Sequence, residues 1–462
     1  VDRPPKKRAK SPLKVRSLAL EILNDVDSPN RTLDQLLEEK LAPSGLEDKR
    51  DRALLNALAM GVTRWRSRLD FIIRHCSRTP LDKIDPPVLN ALRLGVFQLA
   101  YLNRIPPSAA VDTSVELVKL FSPKWVVRFA NAVLRRAAAD WRRIPLPDLS
   151  ADPVEAIAIR KSFPEWLVRR WLQRYAPEET LRRCDLLNEI PPITLRTNTL
   201  RTSRPELIAA LAGEAESIEP TAIAPDGIRL TAPQRAVHEM PAFQQGWFQV
   251  QDEAAQLVTL LLPLHPGNSV LDACAGLGGK TGHIVQMVKN KGPVVAADSS
   301  LPRLGRLKRQ MRRMGYENVR TAACDLTDAS AIDTLGRFDR VLLDAPCSGL
   351  GVLRRNPDAK WRIQEAMMTR FSQNQTTFLE NLARLVNPQG HLVYAVCSSE
   401  PEEGKQVVDR FIGRHPEFSV DNPVARLPVQ AGSLVDPDGT FSSERCPGVM
   451  DGFFAVCLRR MV

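Results

Sequence analysis

Apolar residues recur at helical spacing through the first third of the chain. Leu92, Val96, Leu99 and Leu102 follow one another at intervals of four and three, which marks one buried helix face. Pro86-Pro87 stand before this stretch and Pro106-Pro107 end it. Further helical stretches are expected at 51–75, 109–121 and 124–139, so residues 17–150 read as an all-α bundle. Ahead of it, VDRPPKKRAKSPLKVR (1–16) mixes Pro with Lys and Arg and predicts a basic, disordered tail. Prolines at 145, 147, 153 and 164 predict a linker across 140–165. The pattern then changes. Ile193, Leu195 and Thr197 alternate as in a strand, and Ser203 with Glu206 forms an S-x-x-E capping box for a helix at 206–212. Pro225-Asp226-Gly227 is a turn into a strand at 228–231, which gives a small α+β domain over 151–247.

From 248 to 462 apolar strand-like runs alternate with helical stretches. The strands are expected at 269–273, 293–297, 319–323, 340–344, 391–396 and 453–458. That alternation implies a parallel, doubly wound α/β sheet covered by helices on both faces.

Composition adds a division of labour. Of the 462 residues, 44% are hydrophobic and 25% charged, the profile of a globular protein of several domains. The net charge of +11 is uneven: residues 1–145 hold 27 Lys and Arg against 16 Asp and Glu, and the remainder balances. A basic module joined to a neutral one points to a polyanion-docking part and a separate working part. The apolar run LVTLLLPL (257–264) is far short of the roughly 18 residues of a membrane span, and no apolar leader follows the basic start. No pair among the eight cysteines has C-x-x-C spacing, and the six histidines lack metal-ligand spacing. We therefore expect reduced thiols, a cytoplasmic location, no metal and no membrane partner.

Two cysteines stand out by position. Cys347 follows the apolar run VLLDAP, and Cys397 follows LVYAV, so each sits where a buried strand runs out into a loop. Ligands of open α/β sheets bind outside the carboxyl ends of the strands. If the two strands are neighbours, both thiols face one substrate atom. Ser399 and Glu402 predict a second capping box, with a helix starting just after Cys397 and its dipole favouring a thiolate. Cys274, Cys324 and Cys457 read as small core residues.

The segment DACAGLGGKTG (272–282) follows a strand and opens a helix. Position 274 is Cys where a Walker A loop needs Gly, and position 281 is Thr where a dinucleotide fingerprint needs Gly. S-adenosylmethionine has no phosphates to cradle and fits this turn best. Cys274, Ala275, Gly276, Leu277, Gly278, Gly279 and Lys280 would line it. Asp298, 20 residues after Gly278, would hold the ribose hydroxyls, Asp325 the adenine edge, and Asp344 would close the site beside the reaction centre.

DACAGLGGKT, DAPCSGLGVLRRNPDAKW and CSSEPEE resemble motifs of the Nol1/Nop2/Sun family of RNA 5-methylcytosine methyltransferases. FQVQDEAAQLV (248–258) and DGFFAVCLRR (451–460) are similar to further parts of that catalytic domain. ALRLGVFQLAYL (91–102) and RFANAVLRR (128–136) are similar to a NusB-like RNA-binding domain. The chain departs from the family at Leu277, Val396 and Gly404, where Pro, Thr and Asn are usual. The resemblance implies a Rossmann-like class I methyltransferase domain at 248–462. It further implies methyl transfer to carbon 5 of a cytosine in small-subunit (16S) ribosomal RNA; apart from the resemblance, a monomer is expected. It assigns Cys397 as nucleophile and Cys347 to product release. Asp344 is placed to bond the pyrimidine's polar edge, and Lys280 to orient the base or a phosphate. Position alone leaves the order of the two cysteines open, because Pro346-Cys347 also resembles the nucleophile motif of DNA cytosine methyltransferases. A DNA methyltransferase and a non-catalytic NusB-like antitermination factor are the alternatives. Arg354, Arg355, Lys360 and Arg362 are candidates to hold the RNA backbone. So are Arg196, Arg201 and Arg204, and the arginines at 303, 306, 309, 312 and 313.

Overall fold

The computed structural model describes residues 11–28 and 31–461, which form two compact units. The first unit comprises the chain through Asn188 together with Leu353–Glu365. Its helices span Ser11–Asp25, Leu33–Leu41, Lys49–Arg64, Arg66–Cys76, Pro86–Tyr101, Pro107–Lys119 and Lys124–Asp140, and then Pro153–Lys161, Glu165–Leu172 and Pro177–Asn188. Local chemistry starts several of them. Thr32 and Gln35 form a reciprocal capping box, and Asp48 and Asp152 each accept a backbone N–H of the first turn. Pro86 occupies the first turn of its helix, where no N–H partner is needed. Leu92 and Val96 are fully buried and Leu99 and Leu102 pack at the edge of the same core, as their spacing predicts.

Two expectations need correction here. Of the expected disordered tail, residues 1–10 lie outside the described residues, but residues 11–16 begin the first helix. Arg16 is buried and its Nε donates to Gln98 Oε1 at 2.7 Å. The expected linker contains the helix Pro153–Lys161, capped by Asp152, because Pro153 suits a first turn as well as it suits a loop.

Much of Leu353–Lys360 is buried within this unit. Asp358 accepts the Leu33 N–H at 3.3 Å, and the Trp361 ring N–H donates to Thr63 O at 2.7 Å. Lys360 is 0% exposed: its amine donates to Asn188 Oδ1 at 2.6 Å and Ser162 O at 3.2 Å and lies over the Phe163 ring. Burial holds its pKa well below the ordinary lysine value. Arg354 is buried too. Neither can hold an RNA backbone, which overturns that expectation for both.

The second unit carries two sheets. The smaller is antiparallel, with strands β1 (Ile193–Thr197), β2 (Ala215–Pro220), β3 (Gly227–Pro233) and β4 (Phe248–Val250) in the order β2-β3-β1-β4. The Ser203–Glu206 capping box is present and starts the helix Arg204–Ala210, two residues earlier than expected.

The larger sheet contains β5 (Val270–Asp272), β6 (Val294–Asp298), β7 (Val319–Ala323), β8 (Phe338–Asp344) and β9 (Val386–Val396). It is completed by β10 (Phe418–Val420), β11 (Thr440–Ser442) and β12 (Phe454–Arg460). Its order is β10-β12-β9-β8-β5-β6-β7, with β11 paired to β12. The five strands β7-β6-β5-β8-β9 are parallel, whereas β12 runs antiparallel to β9, β10 and β11, so the sheet is mixed rather than wholly parallel. Successive residues feed opposite cores: Val270, Val294 and Leu342 one face, Leu271, Val295 and Leu343 the other. Strand order reverses between β5 and β8, so a crevice forms where their carboxyl ends diverge.

Candidate active site

Strands β8 and β9 are hydrogen-bonded neighbours, with Asp344 opposite Ala395. Cys347 and Cys397 follow that pair by three and two positions, and the sulfurs stand 3.2 Å apart. Both are half-buried free thiols. Its hydrogen bond with the Cys397 sulfur, and then burial, push the Cys347 thiol well above the ordinary cysteine value. The two sulfurs at this distance cannot both carry charge, so the pair holds at least one proton.

The expected capping box after Cys397 does not form. The helix begins at Lys405 with Gly404 in the cap position, because residues 401–404 form a separate turn. That turn delivers Glu403 beneath the thiols. Its fully buried carboxylate accepts from Ser348 N (2.8 Å) and Gln375 Nε2 (3.1 Å) on one oxygen. The other oxygen accepts from Ser348 Oγ (2.5 Å) and Ser398 Oγ (2.6 Å).

The glycine-rich turn lies between β5 and the helix Gly279–Met287. Gly276 and Gly278 have φ of +53° and +87°, the left-handed region that side chains resist. A Cβ at Gly278 would come within 2.8 Å of Leu307, while the space beside Gly276 is open. Asp298, at the end of β6, is buried and accepts Gly276 N at 2.9 Å and Ser300 N at 2.8 Å. Each of its oxygens keeps a lone pair for a ligand hydroxyl. Ala275 N donates to Ala297 O at 2.9 Å, which ties the turn to β6. Leu277 is exposed, and Cys274 is half-buried, with burial and then the nearby carboxylates raising its thiol well above the ordinary value. Asp325 is exposed and accepts from Thr327 N and Oγ1. No contact joins it to the other predicted site residues.

Lys280 and Asp344 come together, Nζ to Oδ2 at 2.6 Å, with the ammonium over the Phe453 ring at 5.0 Å. Burial acts to lower the Lys280 pKa, but the Asp344 charge and hydrogen bond outweigh it, with the charge of Cys397 adding to the rise. Phe453 and Asp272 were not singled out by sequence. Asp272 shows in the sequence only as one more acid at a strand end, and Phe453 lies inside the motif DGFF.

Asp272 is fully buried and accepts from Thr281 Oγ1 at 2.6 Å, but its other oxygen has no partner. Burial raises its pKa to about 7. The folded state therefore binds this proton more tightly than the unfolded chain. The stability it contributes is complete below pH of about 4 and is lost as pH rises through about 7. Urea titrations from pH 5 to 8 should show that decline, and Asp272→Asn should flatten it and be the more stable protein at pH 8.

Arg196 is 0% exposed, which removes it as an RNA contact. It donates to Gly279 O at 2.8 Å, to Gln249 Oε1 at 3.3 Å and to Gln251 Oε1. Arg201 is exposed and donates to Gln245 O. On the helix Leu301–Met314, Arg303, Arg306, Arg309 and Arg312 are exposed, while Arg313 stacks on Phe243 and donates to Phe248 O at 3.1 Å.

Comparison with known proteins settles the family. Residues 259–459 match the 16S rRNA methyltransferase RsmB/F family, residues 13–139 the NusB family, and residues 163–238 the RsmF/B-like ferredoxin-like domain. A probable ribosomal RNA small subunit methyltransferase B of Bacillus subtilis (strain 168) is 33% identical over 96% of this chain and 98% of its own. The chain belongs to the RsmB/F methyltransferase family. A ribosomal RNA small subunit methyltransferase B of Pseudomonas putida is 36% identical over 80% of this chain and 83% of its own. The crystal structure of PH0851 superposes with a TM-score of 0.81 at 26% identity, covering 98% of this chain and all of that one. NSun6 from Pyrococcus horikoshii, solved with SFG, shares the fold at a TM-score of 0.58 and 20% identity, over 65% of this chain and 99% of its own. The RsmB/F assignment makes this chain a methyltransferase with a NusB domain at its amino end. Among the described residues no His, Cys, Asp and Glu cluster could hold a metal, and no helix is long and apolar enough to cross a membrane.

Proposed function

We propose that this protein methylates carbon 5 of a cytosine in small-subunit ribosomal RNA, with S-adenosylmethionine as methyl donor and a transient Cys397–cytosine bond. The observation that carries this reading is the pair of sulfurs 3.2 Å apart at the ends of adjacent strands. In this reading residues 17–150 dock RNA, 151–247 form the small middle domain and 248–462 carry the chemistry.

The open turn beside Gly276 and the spare lone pairs of Asp298 suit a nucleoside, with Asp325 near the base. When bound there, the cofactor supplies an electrophilic methyl group. Carbon 5 of cytosine is a poor nucleophile, and addition of the Cys397 thiolate to carbon 6 gives it enamine character. The Asp344 carboxylate accepts from the exocyclic amine. Lys280 spends one N–H on Asp344 and keeps two for the ring's nitrogen and carbonyl edge, or for a phosphate. Lys280 also interacts favourably with a charged Cys397, whereas Cys347 has the Glu403 carboxylate for a neighbour. That asymmetry favours Cys397 as the thiolate. Once Cys397 is a thioether it is no longer a thiolate acceptor for the Cys347 S–H, so the first cause of Cys347's raised pKa, that hydrogen bond, weakens. Cys347 then gives its proton to water and, as a thiolate, takes the carbon 5 proton, while the Cys397–carbon 6 bond breaks and its electrons leave with the Cys397 thiolate.

Labelled S-adenosylmethionine should transfer methyl groups to unmodified small-subunit RNA and not to duplex DNA. Cys347→Ala should leave a protein–RNA adduct that survives denaturing electrophoresis. Transfer to DNA alone would establish a DNA methyltransferase, and RNA binding without transfer a binding factor.

A further inference from the structure

The Glu403 carboxylate bonds both thiol-bearing loops, which also meet directly through Ser348 Oγ and Ser398 Oγ at 3.2 Å and through Gly351 N and Cys397 O at 3.0 Å. Ser348 follows Cys347 and Ser398 follows Cys397, and both hydroxyls donate to the same Glu403 oxygen. Gln375, on the helix Met367–Ala383, bonds Glu403 with the same nitrogen that donates to Pro346 O at 3.0 Å, one residue before Cys347. All four lone pairs of the carboxylate are thus in use. Among the described residues no Lys or Arg pairs with it. A buried charge without a counter-ion is costly, and only its full set of donors makes it tolerable. The turn that presents it is itself anchored. Tyr394 of β9 donates to Glu403 O, and Ser372 Oγ donates to Glu402 O at 2.6 Å.

We propose that Glu403 is a positioning residue that staples the Cys347 and Cys397 loops together and sets the distance between the two sulfurs. Moving either loop would strip donors from a charge that has no other partner, so the loops move together or not at all. A purely apolar contact would not impose that penalty. Its use in catalysis rests on the thiol mechanism above; the stapling itself does not.

The test reads sulfur proximity separately from methyl transfer. The intact protein is treated with diamide, which takes two electrons and two protons from the thiol pair, and the rate of Cys347–Cys397 disulfide formation is followed by mass spectrometry. Glu403→Ala should slow that reaction at least 10-fold and lower kcat by a similar factor, with S-adenosylmethionine affinity unchanged. Glu403→Gln keeps one acceptor oxygen and an amide that the hydroxyls can accept from, and should restore the disulfide rate to within about 3-fold. The double variant Ser348→Ala, Ser398→Ala leaves the carboxylate in place, removes its two hydroxyl donors together with the 3.2 Å Ser348–Ser398 bond, and should repeat the slowing. If Glu403→Ala does not fold, that double variant decides the matter. A wild-type disulfide rate in the folded variant, even with a lowered melting temperature, overturns the proposal. A Cys397→Ala protein that still transfers methyl groups would overturn the mechanism instead, and would leave the disulfide result standing.

Discussion

Cys397→Ala should lower methyl transfer to RNA by at least about 1,000-fold while leaving cofactor binding and the folded state intact. The cofactor turn shares no hydrogen bond with this side chain, whose polar neighbour is the Cys347 sulfur. Alanine is smaller than cysteine, and the site is half-open, so little packing is lost. The loss should fall on kcat and not on the affinity for RNA, because the sulfur acts only after the base is seated. Single-turnover kinetics with labelled cofactor and RNA would separate these terms. A variant that keeps activity while Cys347→Ala loses it would reverse the order of the two cysteines and place the nucleophile on β8's loop.

Arg196→Ala should produce the largest change in stability. The guanidinium is fully enclosed and spans β1, the β4 end and the start of the helix Gly279–Met287. Its removal leaves the Gln249 and Gln251 side-chain oxygens and the Gly279 carbonyl short of a donor, at about 1–3 kcal/mol for each group left without one. Partial relaxation brings the expected total to about 3–5 kcal/mol, read as a shift in the urea midpoint. The same carbonyl belongs to the cofactor turn, so S-adenosylmethionine affinity should weaken as well. Arg196→Lys keeps the charge but not the planar fork, and should fall between alanine and wild type in both measurements. Gly282 explains how closely the helix approaches: a Cβ there would meet Gln249 Oε1 at 3.0 Å and Arg196 Nη2 at 3.1 Å.

The thiols were legible because a strand buried on both faces leaves a continuous apolar run, and Cys347 and Cys397 stand just past two such runs. The acids of β6 and β8 were legible for the same reason. What was hidden depended on partners far away in the chain. Lys360 looks like any solvated lysine until Asn188 and Ser162, 172 and 198 positions earlier, are found around its amine. Arg196 sits at the outward phase of an alternating strand, but that outward face is covered by the helix start at Gly279. The Ser399–Glu402 spacing matched a helix cap, yet the neighbouring acid, Glu403, is drawn beneath the thiols by Ser348, Ser398 and Gln375, and the helix begins later. The antiparallel β12 escaped notice because an apolar run does not announce its direction.

Leu353–Glu365 is only thirteen residues, but it changes what counts as a separable piece of this molecule. The helical unit is not a contiguous gene segment. A chain cut after Asn188 yields an amino-terminal fragment lacking Asp358, Lys360 and Trp361, with Leu33 N and Asn188 Oδ1 deprived of their bonds. The carboxyl-terminal fragment would then carry those buried side chains as an uncovered excursion a few positions after the Cys347 loop. Recombination that trades the amino-terminal module between relatives must therefore carry this short excursion along, or rebuild its pocket.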